Sequence, residues 1–154
     1  MKKTLIAAGF ASLMSTTAMA EGIGVSMALF DDNFLTVLRN GIQAQADASG
    51  LKVQIEDAQN DVAKQLDQIN NFIASGVDAI IVNPVDTSAT QAMSDAAAAA
   101  NIPLVYVNRQ PINVDTLPDN QAFVASNEVE SGTLETIQLC DNWAAEGKTE
   151  VNVY

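Results

Sequence analysis

Histidine is absent from this 154-residue chain, and cysteine occurs once. Without histidine, the histidine-based catalytic triads and the commonest zinc ligand are excluded together. A single cysteine, Cys140, cannot close an internal disulfide; in a helical-looking stretch it is either buried or a free thiol. Basic residues are scarce, with seven Lys and Arg against nineteen Asp and Glu. Such a surface repels phosphate backbones and anionic lipid heads, which argues against nucleic-acid or membrane-surface binding. Long apolar runs are missing as well, since a bilayer span needs about 20 such residues in a row. The phosphate-cradling GxxxxGK[ST] and the serine elbow GxSxG do not occur, and Gly22-Ile23-Gly24 lacks the glycine that would complete a dinucleotide fingerprint. Asp31 and Asp32 are paired carboxylates, but neighbours on one loop do not oppose each other across a bond. No nucleophile–base pair is evident, so the chain does not read as an enzyme.

What is present begins at the first residues. Lys2 and Lys3 precede an apolar core, Thr4 to Met14, and Ala18-Met19-Ala20 supplies a small-x-small cleavage pattern. This order reads as a secretory signal peptide, residues 1–20, cut before Glu21. Loss of Lys2 and Lys3 leaves five basic residues against nineteen acidic ones, a net charge of −14 on 134 residues. Acidity of that order can mark disorder, but Val, Ile, Leu and Ala recur in ordered blocks, which argues for a packed core. The length supports one domain.

The blocks alternate between two periods. Ile23 to Leu29 reads as a buried strand, and Phe34, Leu38, Ile42 and Gln45 follow at helical spacing up to Ser49-Gly50. Leu51 to Glu56 alternates in period two, as expected of a strand near a sheet edge. Asn60 or Asp61 can cap a second helix with Val62, Leu66, Ile69, Phe72 and Ile73 as its apolar face, ending at Ser75-Gly76. Val77 to Val82 is a third strand. Ser88 with Gln91 matches a capping box before an alanine-rich helix, and Ile102 to Val107 is a fourth strand. Residues 109–121 read as a surface loop, Ala122 to Ala125 as a short fifth strand, Ser126 to Ala145 as a helix, and Lys148 to Tyr154 as the start of a further strand. Repeated strand–helix steps with short loops specify an α/β fold, a three-layer open parallel sheet.

In such a sheet, ligands bind beyond the carboxyl ends of the strands. Those ends carry Phe30, Asp32 and Phe34 after the first strand, Asp57 after the second, and Asn83 and Asp86 after the third. Asn108, Arg109 and Gln110 follow the fourth strand, and Asn127 the fifth. Amides, carboxylates, a guanidinium and an aromatic ring are the groups that read a neutral polyhydroxylated molecule, because each hydroxyl both donates and accepts. Bland roles compete at each position. Asp32 can cap the first helix, Asn83 can hold the turn before Pro84, and Phe34 can belong to the core. Arg109 can pair with Asp32, Asp57 or Asp86.

The segments Phe30–Gly41 (FDDNFLTVLRNG), Asp57–Asp61 (DAQND), Gly76–Asp86 (GVDAIIVNPVD) and Ala100–Gln110 (ANIPLVYVNRQ) together resemble the ribose-binding-like family of bacterial periplasmic proteins. That family is similar in turn to the ligand-binding part of LacI-type repressors. The last segment, with the following acidic loop and VASNE, looks most like the inositol- and rhizopine-binding members. The resemblance spans residues 23 to about 127. It implies a type I periplasmic-binding-protein lobe, with sugar contacts at the positions of Asp32, Phe34, Asn83 and Arg109, and no cofactor or metal. It also implies delivery to an ABC-type permease, in some cases to a chemoreceptor, and a location in the periplasm. Departures are Asp32 where many members carry Asn, Leu35 in place of a second aromatic, and Asn108 in place of Asp. Members are roughly twice as long and have two lobes joined by three crossovers. The expectation is therefore a first lobe over 21–127, incomplete, and the truncated opening of a second lobe over 128–154.

Overall fold

The computed structural model describes residues 22–150, so the expected signal peptide and the last four residues of the expected sixth strand lie outside the described residues. Five strands, β1 (Ile23–Met27), β2 (Val53–Asp57), β3 (Ala79–Val82), β4 (Leu104–Val107) and β5 (Gln121–Val124), form one sheet in the order β2-β1-β3-β4-β5. Every pairing is parallel. Four helices, α1 (Asn33–Ser49), α2 (Val62–Ser75), α3 (Thr90–Ala99) and α4 (Glu128–Ala145), connect or follow them. The alternating strand β2 is indeed at the edge.

The order determines where the helices lie. The step from β1 to β2 runs one way along the sheet, and the steps to β3 and β4 run the other way. Right-handed crossovers therefore place α1 on one face and α2 and α3 on the opposite face. Side chains follow this division. Val25 and Met27 pack with Leu35, Leu38 and Ile42 of α1. Ile80, Val82, Leu104 and Tyr106 pack with Ile69, Phe72, Met93 and Ala97 of α2 and α3.

The caps account for the helix boundaries. Asp32 accepts the Leu35 N–H at 2.7 Å, and Asp61 accepts those of Ala63 and Lys64 at 2.8 and 3.1 Å. Gly50 and Gly76 close α1 and α2 in the left-handed conformation that a Cβ disfavours.

Two expectations are corrected. Ser88 and Gln91 form no capping box: Asp86 accepts the Ser88 N–H at 2.8 Å, so Thr87–Ala89 becomes a 3-10 turn and α3 starts at Thr90 without a side-chain cap. Asp86 wins because a carboxylate is the stronger acceptor, and the Ser88 amide and then its hydroxyl hold that carboxyl below its ordinary pKa. The loop 109–121 is not wholly at the surface. Asn113 is buried and donates to the Ser94 hydroxyl at 3.0 Å. Residues 148–150 carry no strand, and 151–154 lie outside the described residues. Cys140 is an exposed free thiol.

Candidate functional site

The sheet reverses its strand order at β1, between β2 and β3, and the loops leaving β1, β3 and β4 surround the crevice at that reversal. After β1 the chain runs through Phe30 and Asp32 into α1. One Asp32 carboxylate oxygen caps the helix, and the residue remains exposed. Phe34, in the first turn of α1, is 60% exposed and takes no part in the core. A bare aromatic at a helix start beside a crevice is placed to cover an apolar ligand face. Behind it, the Arg39 guanidinium sits 4.0 Å from the centroid of the Phe30 ring.

Asn83 lies beneath the crevice floor. It is 0% exposed, with its Oδ1 accepting the Ala28 N–H at 3.4 Å and its Nδ2 donating to the Val107 carbonyl at 3.3 Å. Its amide is thus engaged in tying β1, β3 and β4 together. Asn108 leaves β4 with φ of 68°, and the Arg109 N–H donates back to the Val107 carbonyl at 2.8 Å across it. This is a γ-turn with a positive central φ, a strained conformation that asparagine tolerates better than most residues.

Arg109 forms none of the ion pairs with Asp32, Asp57 or Asp86 that its charge allowed. Its Nη1 instead donates to the carbonyls of Pro84 and Val85 at 2.9 and 3.0 Å. Both Nη1 hydrogens are therefore used within the protein. Nε and Nη2 have no hydrogen-bond partner among the described residues.

Asn108 and Asn127 are brought into one cleft. Together with Gln110, Phe123, Ser126 and Glu128 they line a space of about 440 Å³ of mixed polarity. Asn127 also caps α4, accepting the Glu130 N–H at 3.2 Å. Asp32 and Phe34 stand at the end of β1, two strands from β4, or about 10 Å at the usual spacing. No group of three or more metal-ligating side chains occurs among the described residues.

Beneath the loops runs a layer of buried amides absent from the expected apolar face of α2. Gln65 and Gln68 are buried alongside Ile69 and Phe72. Gln68 accepts from the Ser26 hydroxyl at 2.7 Å and donates to the Asp57 carbonyl at 2.9 Å. Ser26 faces them because strand periodicity turns it toward α2, away from the face of Val25 and Met27, and Asn83 meets Gln65 through its backbone carbonyl. The sequence signal was the polar pair Gln65 and Gln68, three apart on one helix face and facing the polar Ser26.

Residues 23–152 match the model of the periplasmic binding protein domain. The chain belongs to the periplasmic binding protein family. This is a family of solute-binding proteins rather than catalysts, and membership is consistent with a periplasmic location. A provisional rhizopine-binding protein of Rhizobium meliloti is 62% identical over 98% of this chain and 49% of its own length. The ribose import binding protein of Bacillus subtilis is 36% identical over 77% of this chain and 38% of its own. Among solved structures, an ABC transporter solute binding protein of Bacillus halodurans with bound myo-inositol superposes with a TM-score of 0.68. It is 34% identical and covers 83% of this chain and 44% of that one. The chain thus spans about half the length of the relatives it matches, or less.

Proposed function

We propose that this chain is the first ligand-binding lobe of a periplasmic receptor for a neutral sugar or cyclitol, inositol-like, which passes its ligand to an ABC-type permease. Asp32, Phe34, Asn108, Arg109 and Asn127 face the ligand, and Asn83 supports them from below. The observation that carries this reading is the state of Arg109. Its Nη1 is anchored by two carbonyls after β3, and its Nε and Nη2 have no hydrogen-bond partner among the described residues. A guanidinium held in this way presents donors in a preset direction and loses little freedom when a hydroxyl arrives. The relative named for ribose, and the one that holds myo-inositol, support a polyol ligand.

In the same reading, residues 128–150 open a second lobe. Helix α4 has no buried residue, and Val129, Leu134, Ile137 and Leu139 are all exposed on it. An apolar groove of about 380 Å³ beside α1, lined by Leu38, Ile42, Val53 and Ile81, is the place for a closing strand–helix unit of the first lobe. Engagement of a chemoreceptor by the closed receptor is a second use that only the resemblance suggests.

Calorimetric titration of the full-length protein with myo-inositol, ribose and galactose tests the proposal. Binding at micromolar concentration or tighter by at least one polyol is expected. Silence toward all of them, with binding of a charged solute instead, would refute it.

A further inference from the structure

Arg109 is held by a turn, and the turn is held from behind. Gln65 is 0% exposed on α2, under the Asn83-Pro84-Val85 segment that leaves β3. Its Nε2 donates to the Asn83 carbonyl at 3.0 Å, and its Oε1 accepts the Val85 N–H at 2.8 Å. One side-chain amide therefore brackets Pro84 on both sides. The Val85 N–H shares its peptide plane with the Pro84 carbonyl, so Gln65 fixes that carbonyl in direction, and it and the next carbonyl, that of Val85, receive the two Arg109 Nη1 bonds. Pro84 has no N–H, so the segment cannot be held by that group. The second Nε2 bond, to Ser26 Oγ at 3.1 Å, joins Gln65 to β1. Ser26 passes its own proton to Gln68, so each hydrogen of the Gln65 amide has a separate acceptor.

We propose that Gln65, which touches no ligand, is a positioning residue for Arg109. It orients the Pro84 carbonyl, whose peptide it bonds at the Val85 N–H, and so sets the guanidinium in the crevice. The inference rests on the reading of Arg109 as a ligand-binding residue, and it reaches one layer deeper, to a helix remote from the crevice surface. A buried amide with both N–H groups and its oxygen engaged is a stiff element, because loss of any partner leaves an unpaired group inside the protein.

The test uses two readouts in the full-length protein. The first needs no ligand. In ¹⁵N-arginine spectra, Arg109 should show separate, slowly exchanging Nη signals, because both Nη1 hydrogens are bound. Gln65→Met keeps the side-chain length and removes the amide, and Gln65→Glu keeps an acceptor for Val85 and removes the donor to Asn83. Both should merge the Arg109 signals. Ile69→Ala, a core truncation on the same helix, should leave them separate at equal or greater loss of stability. The second readout is affinity for myo-inositol. Gln65→Met should weaken it about tenfold when Arg109 is present and less than twofold in an Arg109→Ala background. Unchanged Arg109 signals in both Gln65 variants, or equal losses in the two backgrounds, would overturn the proposal. If Arg109→Ala itself left affinity intact, the ligand role of Arg109 would fail, while the spectra would still decide whether Gln65 positions it.

Discussion

A Cβ atom on Gly24 would stand 2.5 Å from Cγ of Phe72 and 2.7 and 2.8 Å from its two Cδ atoms. The glycine is the second residue of β1, and the ring is buried in the core on the α2 face. The ring thus takes the space a side chain would fill, and this contact lets α2 approach β1 closely.

Gly24→Ala should therefore lower stability by about 1–3 kcal/mol through overpacking. Urea unfolding measures this directly. The double variant Gly24→Ala, Phe72→Leu should recover part of the loss. Independent, additive losses would show that the two residues do not share the space.

Tyr106 gives the fold an alkaline limit. Its hydroxyl donates to the Thr90 carbonyl at 2.7 Å and lies 2.8 Å from the Ser94 hydroxyl. Burial pushes its pKa up from 10.0 to about 12, more than the hydrogen bond with Ser94 lowers it. The neutral phenol is the form the fold favours, so its stabilisation is complete below pH 10 and is lost as pH climbs toward 12. Absorbance titration of phenolate should show one of the two tyrosines ionising well above the ordinary range. Tyr106→Phe should remove that late step, and its persistence would assign it elsewhere.

Much of this architecture was legible because the periods changed at clear punctuation. Asp61 and Gly76 bound α2 where the sequence marks them, and the alternation of residues 51–56 correctly placed β2 at an edge. The start of α3 is not legible in the pattern because Gln91 and Asp86 both offer an oxygen to the Ser88 N–H, and spacing alone does not say which one takes it. Gln65 and Gln68 were passed over because polar residues on a helix are read as solvent-facing. Only the sheet order shows that the Ser26 hydroxyl and the Asn83 carbonyl lie opposite them. At the site, residue types and strand ends were readable from the sequence. That Asn83 works from below, and that Arg109 prefers two carbonyls to a carboxylate, depends on tertiary geometry.

The exposure of α4 predicts a boundary. Val129 is 80% exposed, and no residue of this helix is buried against the sheet. Limited proteolysis of residues 21–154 should cut after residue 127 and spare the five-stranded part, as mass spectrometry would show. The same fragment should bind myo-inositol about a thousandfold more weakly than the full-length protein, because one face of the ligand stays in water. Protection of α4 together with undiminished affinity would mean that this segment completes the site by itself.

The central claim is that a polyol sits at the carboxyl ends of the strands and is held by Arg109. A crystal structure of the full-length protein with myo-inositol tests it most directly. The ligand should lie beyond β1 and β4, with Nε or Nη2 of Arg109 within hydrogen-bonding distance of a hydroxyl, Phe34 against the ring, and the Nη1 bonds to Pro84 and Val85 retained. Myo-inositol bound elsewhere, or at the strand ends with Arg109 turned away from it, would contradict the account.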